Sequence, residues 1–317
     1  PGYWLTTYTD GASYERPGRE MNTFTNAVML DVVGPVAEAA GVAGVAAHAR
    51  DFLARQIEAG GLVRYHGRAD APTIGSLGCK ITPDADDTAL VWRVAPPADH
   101  PELLREALAT LDRFRTGDGL YRTWLAPRER YECIDPGNDA NPADIGIQMH
   151  VLMLLAQADP PAATALCAAL RRGLARPRNW VYYTLAPPVV ILRLADLREA
   201  GCELELPPWR TETSVPGQET WTAAAQLVQQ IASAQSTSAA YPEISRLLRK
   251  LAADNFALLA QAPPLIYHND LTASVRRFYW SEELGYALWL RLYFEDKRAR
   301  SRLTCLIDRA EHKCGDN

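Results

Sequence analysis

The sequence predicts an all-α protein: a single (α/α) barrel, or toroid, of five to six helical hairpins. It spans residues 1–317 as one domain, and 1–22 form an extended N-terminal segment. Three observations carry this. Helical periodicity runs through most of the chain, strand signals are nearly absent, and helices of two kinds alternate along the sequence. One kind is apolar on all faces, as in Ile145 to Ala156 and Leu284 to Phe294. The other is amphipathic, as in Glu102 to Arg115 and Glu243 to Lys250. A helix apolar all round is buried, and an amphipathic one faces water on one side. Their alternation therefore predicts an inner ring of helices wrapped by an outer ring.

The elements follow in order. Helices are expected over 26–40 and over 43–59, the second stopped by Gly60 and Gly61. The third covers 84–94 and ends at Pro96 and Pro97. The fourth covers 101–115, with Pro101 in its first turn and Gly117 just beyond its end. A pair follows over 142–157 and 161–174. A helix over 182–200 is interrupted or delayed by Pro187 and Pro188. The remainder are expected over 220–234, 242–261, 281–297 and 299–313. Only Val63–Tyr65 and Leu120–Trp124 read as short extended pieces.

Composition narrows the function. The formal net charge of −5 gives no general attraction to nucleic acid, and no apolar run reaches the length of a membrane span. The six cysteines form no CxxC pair and no zinc-site spacing. They read as reduced thiols and so as a cytoplasmic protein, although a signal removed ahead of Pro1 stays compatible with the sequence. No P-loop, Rossmann fingerprint or Gly-x-Ser-x-Gly occurs, and the reading needs no cofactor and no metal. The polar run Asp135, Asn138, Asp139, Asn141 and Asp144 lacks the EF-hand spacing and reads as a turn entering a helix.

Several apolar helices open with acids or amides. Asp84, Asp86 and Asp87 open the third, Asp144 opens the fifth, Glu282 and Glu283 open the tenth, and Glu20 and Asn22 precede the first. Acids at helix starts ordinarily cap free N–H groups and complement the helix dipole. Three carboxylates at Asp84, Asp86 and Asp87 exceed what one cap needs. If these are inner helices, their starts gather at one mouth of the barrel and give it an acidic pocket.

Asp84-Ala85-Asp86-Asp87-Thr88-Ala89 resembles the DxDD motif of class II terpene cyclases, the squalene–hopene and copalyl-diphosphate type, and the helical pattern is similar to their (α/α) barrel. The resemblance implies a terpenoid cyclase-like fold and proton-initiated cyclisation or isomerisation of an isoprenoid. It makes Asp86 the general acid, with Asp84 and Asp87 to tune and orient it. Crowded carboxylates suit the task, because neighbouring negative charge disfavours ionisation and one of the group keeps its proton. A carbocation then needs aromatic faces. Trp92, Tyr182, Tyr183, Tyr279 and Trp280 are candidates, with Asp144, His150 and Glu282 expected near the substrate. Arg64, Arg68, Arg276 and Arg277 are the cations available to an anionic tail.

The chain departs from that pattern in two ways. Such cyclases pair two barrels, and this chain is too short for two; a homo-oligomer is one way to supply the missing wall, and the sequence carries no sign of it. Their glutamine–tryptophan repeat survives only as Gln56 and Gly60, with Leu62 in place of Trp. Two other readings compete. One is a carbohydrate-active (α/α) barrel using Asp86 with Asp144 or Glu282 as a carboxylate pair. The other is a non-catalytic helical module that binds a lipid or a protein partner.

Overall fold

A computed structural model describes residues 2–71, 79–134, 137–207, 215–232 and 240–310. It is mostly helical, with a small antiparallel sheet that the sequence pattern did not reveal. The helices among the described residues are α1 (Thr23–Val33), α2 (Ala43–Ala54), α3 (Ala85–Val94), α4 (Pro101–Arg113), α5 (Ile145–Ala158), α6 (Pro160–Gly173), α7 (Pro187–Glu199), α8 (Glu219–Ala232), α9 (Ala240–Ala252), α10 (Ala257–Gln261) and α11 (Glu282–Ala310). No helix among them is long and apolar enough to cross a membrane.

Most boundaries fall where the local chemistry puts them. Asn22, Asp84, Asp144 and Asp159 cap α1, α3, α5 and α6 with their side chains. Pro187 and Pro188 occupy the first turn of α7, where a missing N–H costs nothing, so they start that helix rather than break it. Two expectations change. The helix expected over 242–261 is broken by Asp254, Asn255 and Phe256, all at positive φ, into α9 and α10. The two helices expected over 281–297 and 299–313 are a single helix, α11, because nothing between them is a Pro or Gly that would stop it.

Packing follows the two classes of helix. α1 packs on α3, α3 on α5, α5 on α7, α7 on α8, α8 on α11, and α11 returns to α1. The amphipathic helices lie against these: α2 on α1 and α3, α4 on α3, α6 on α5, and α9 on α8 and α11. α1 and α5 are buried nearly all round, whereas α4 buries only Ala107, Thr110 and Leu111.

The sheet has the order β2-β1-β4-β3, from β1 (Thr6–Thr9), β2 (Gly18–Glu20), β3 (Leu265–His268) and β4 (Phe278–Trp280). Thr7 pairs with Trp280, so the sheet joins the first residues of the chain to the segment just before α11. A bulge between Leu265 and Tyr267 shifts the register and brings Tyr267 opposite Tyr279. Their rings stack with centroids 4.3 Å apart.

Val63–Tyr65 is not a strand, and Leu120–Trp124 contributes only two isolated bridges, Asp84 to Trp124 and Arg115 to Tyr121. The cysteines correct the reduced-thiol reading: Cys79 is bonded to Cys133 and Cys167 to Cys202. Residues 35 to 54 positions apart in sequence meet only through the fold, so spacing gave no sign of either pair.

Candidate functional site

The starts of α1, α3 and α5 converge, and the convergence builds a polar cluster. Asp84 is the N-cap of α3, accepting from the Asp87 backbone N–H at 2.7 Å. This fixes Asp86 and Asp87 in the first turn, next to the positive end of the helix dipole. Asp87 accepts a short hydrogen bond from Thr23 at the start of α1. Asp86 reaches across to α5 and accepts from His150 Nδ1 through Oδ1, and from the Tyr183 hydroxyl through Oδ2. Gly146 makes room for that phenol, since a Cβ there would run into the Tyr183 ring.

The tautomer of His150 is determined by its other partner. Arg193 Nε donates to His150 Nε2 at 3.0 Å, so Nε2 carries no proton and Nδ1–H is the donor to Asp86. Arg193 is in turn held by Asp31, which also pairs with Arg93 at 3.0 Å. The result is a buried chain, Asp31–Arg193–His150–Asp86–Tyr183. Burial lowers the pKa of His150 by more than Asp86 raises it, and the adjacent Arg193 guanidinium adds to the lowering, so the imidazole stays neutral.

The carboxylates differ in state. Burial, and then the neighbouring Asp87, push Asp84 well above the usual carboxylate range. Burial raises Asp87 to about 7, held back by hydrogen bonds from Asp84 and Thr23. At neutral pH the Asp84–Asp87 pair therefore keeps a proton, donated from Asp84 to Asp87. Tyr183 is raised well above 10 by burial and by Asp86, and remains a neutral phenol.

A cavity of about 480 Å³ opens onto this cluster. Asp84, Asp86 and Asp87 line one part of it. Aromatic rings line much of the rest: Phe24, Tyr65, Trp124, Tyr182, Tyr183, Tyr267 and Tyr279. Ile81, Ile134, Ile147 and Val275 fill between them, and Arg277 is the cation among the described lining residues.

The residues singled out in the sequence divide accordingly. Asp84, Asp86, Asp87, Tyr182, Tyr183 and Tyr279 line the cavity, and His150 stands directly behind Asp86. Asp144 is fully buried and does not line it. Asp144 Oδ1 accepts from Gly146 and Ile147, and its Oδ2 accepts from Val181 and Tyr182, which anchors the segment carrying Tyr183. Trp92 and Trp280 are core residues whose indole N–H groups are bonded to Gly61 and Thr9. Glu282 accepts from Tyr14 at 3.2 Å at the start of α11, away from the cavity. Arg276 is exposed, Arg64 is paired with Glu58 and Glu132, and Arg68 with Asp70. Asp135 lies outside the described residues, and Asp139 is exposed beside Arg122.

The polar loop Tyr267-His268-Asn269-Asp270, which the sequence left open between lining the mouth and merely turning, supplies Tyr267, Asn269 and Asp270 to the cavity. Sequence reasoning missed Phe24, Tyr65, Trp124, Asp31 and Arg193. The last two had a usable signal. Each is a lone charge inside an apolar helical run, and such a charge is buried only when paired. Among the described residues no three His, Cys, Asp or Glu side chains converge as metal ligands. No protein-family model matches the chain, and no curated protein matches it either.

Proposed function

We propose that this protein is a proton-initiated cyclase or isomerase of an isoprenoid, a terpenoid cyclase-like (α/α) barrel in which Asp86 is the general acid. One observation carries the reading: Asp86, only 8% exposed, sits between two hydrogen-bond donors on the wall of an aromatic-lined cavity. The cyclic packing order of α1, α3, α5, α7, α8 and α11 supports the barrel.

The chemistry runs as follows. Asp86 takes up a proton before substrate fills the cavity, while the Asp84–Asp87 pair keeps its own. The π electrons of a substrate double bond then take the proton of the Asp86 carboxyl. A C–H bond forms, the O–H bond breaks, and its electron pair stays on the carboxylate. His150 Nδ1–H and the Tyr183 hydroxyl stabilise that carboxylate as it forms, without reorganising. The tertiary cation is held over aromatic faces, each worth about 0.5–2 kcal/mol, and is attacked by the next double bond or loses a proton. Apolar lining keeps water from capturing it.

The lining weighs against the sugar reading. Neither Asp144 nor Glu282, the partners that reading needs, lines the cavity, and the walls are aromatic and aliphatic more than polar.

The test is incubation with squalene, geranylgeranyl diphosphate, farnesyl diphosphate and farnesol, with products read by mass spectrometry. Wild-type protein is expected to convert at least one of them. Asp86→Asn is expected to abolish conversion with helix content and melting temperature retained. Undiminished turnover by that variant would remove Asp86 from the mechanism.

A further inference from the structure

Another buried carboxylate stands behind the cavity wall and takes no part in the initiating step. Glu20, at the end of β2, has its side chain shut off from solvent. The Tyr65 hydroxyl donates to Glu20 Oε1 at 2.6 Å, and the Tyr267 hydroxyl donates in turn to Tyr65. Asn22 Nδ2 donates to the Tyr65 oxygen at 2.8 Å and fixes its orientation. His66 Nε2 lies 3.5 Å from the other Glu20 oxygen. Tyr65 and Tyr267 both line the cavity, and every donor along this row points away from it, toward Glu20. The Phe24 ring packs on Tyr267 at 5.0 Å and on Tyr183 at 6.2 Å, so one aromatic stands between the phenol of this row and the phenol that flanks Asp86.

We propose that Tyr267, Tyr65 and Glu20 form the relay that removes the terminating proton. This rests on the cyclase reading. A C–H bond next to the cationic carbon breaks, and its electron pair becomes the new double bond. The proton goes to Tyr267 Oη as the Tyr267 proton passes to Tyr65 Oη and the Tyr65 proton passes to Glu20 Oε1. No phenolate is formed, which matters because burial holds both phenols well above their ordinary pKa and makes either anion costly. Glu20 later releases one proton to solvent and Asp86 regains one, so the net reaction is an isomerisation. Tyr267 is the catalytic group that meets the substrate, and Glu20 is a proton sink acting through two phenols.

The experiment uses the full chain and whichever prenyl substrate of the panel above it converts. Glu20→Gln and Tyr65→Phe are compared with wild type, with melting temperature as the folding control and Glu20→Asp as the conservative rescue. Glu20 stands behind the cavity wall and the initiating acid is intact, so substrate consumption is expected to be largely retained in Glu20→Gln and Glu20→Asp. The ratio of alkene to water-captured alcohol is expected to fall about a hundredfold, the low end of a general-base contribution. Glu20→Asp is expected to recover part of the alkene.

An unchanged product ratio in folded Glu20→Gln and Tyr65→Phe overturns the relay while leaving Asp86 as initiator. A wild-type protein inert to the whole panel overturns the cyclase reading, and the relay with it.

Discussion

Asp87 illustrates how a single residue carries two loads. Its carboxyl helps to retain a proton beside Asp86, and its backbone N–H closes the Asp84 cap. The folded protein binds the Asp87 proton up to about pH 7, whereas an unfolded chain releases it near 3.8. Between those values the native state holds more protons than the unfolded state, so this residue makes stability fall as pH rises through the window, with no further change above it. Asp31 acts in the other direction. Its two arginines hold it near 2, so its contribution is present above the unfolded value of 3.8 and is lost as pH falls toward 2. Asp87→Asn is therefore expected to flatten the loss of stability between about pH 4 and 7. Urea unfolding at a series of pH values checks this, and an unaltered slope would show that the proton resides elsewhere.

Among the elements, α5 and the segment before α7 depend on Asp144. Its carboxylate satisfies four backbone N–H groups, two at the start of α5 and two at Val181 and Tyr182. An ordinary N-cap satisfies one or two. The second pair of bonds makes it a clamp that sets Tyr183 against Asp86. Asp144→Ala strands several buried donors and is expected to cost about 2–4 kcal/mol. Asp144→Asn retains one acceptor oxygen and should recover part of that. Chemical denaturation reads both. The strands offer a different lesson. β1 to β4 are three or four residues each, too short for a period of two to stand out, although Thr6–Thr9 and Phe278–Trp280 are rich in β-branched and aromatic residues. What makes them strands is one another, across 273 positions of chain at Thr7 and Trp280.

For the whole molecule, the dominant fact is that distant parts of the chain meet: α11 packs on α1, and the sheet ties the first residues to β4. Covalent links add to it. The bond between Cys167 on α6 and Cys202 beyond α7 closes a loop of 35 residues. In the chain-entropy account such a loop contributes about 3–4 kcal/mol. Non-reducing peptide mapping is expected to recover the Cys167–Cys202 and Cys79–Cys133 pairs, and reduction to lower the melting temperature by several degrees. Full alkylation of all six cysteines in the folded, unreduced protein would refute both bonds. The expectation of a cytoplasmic protein rested on reduced thiols and loses that footing.

Read alone, the sequence determined the helical class, the place of most helices, and the acidic turn at Asp84 to Asp87, because caps, prolines and apolar periodicity act over a few residues and are written locally. It reached His150 and Tyr183 as candidates without saying what they touch. Only the tertiary structure decided that both hold Asp86, that Asp144 and Glu282 stand apart from the cavity, and that Glu20, Tyr65 and Tyr267 form a row. Those relations join residues 45 to 202 positions apart, and no local pattern encodes them. They exist because packing brings the starts of α1, α3 and α5 and the edge of one small sheet to the same hollow, where burial decides which carboxyl keeps its proton.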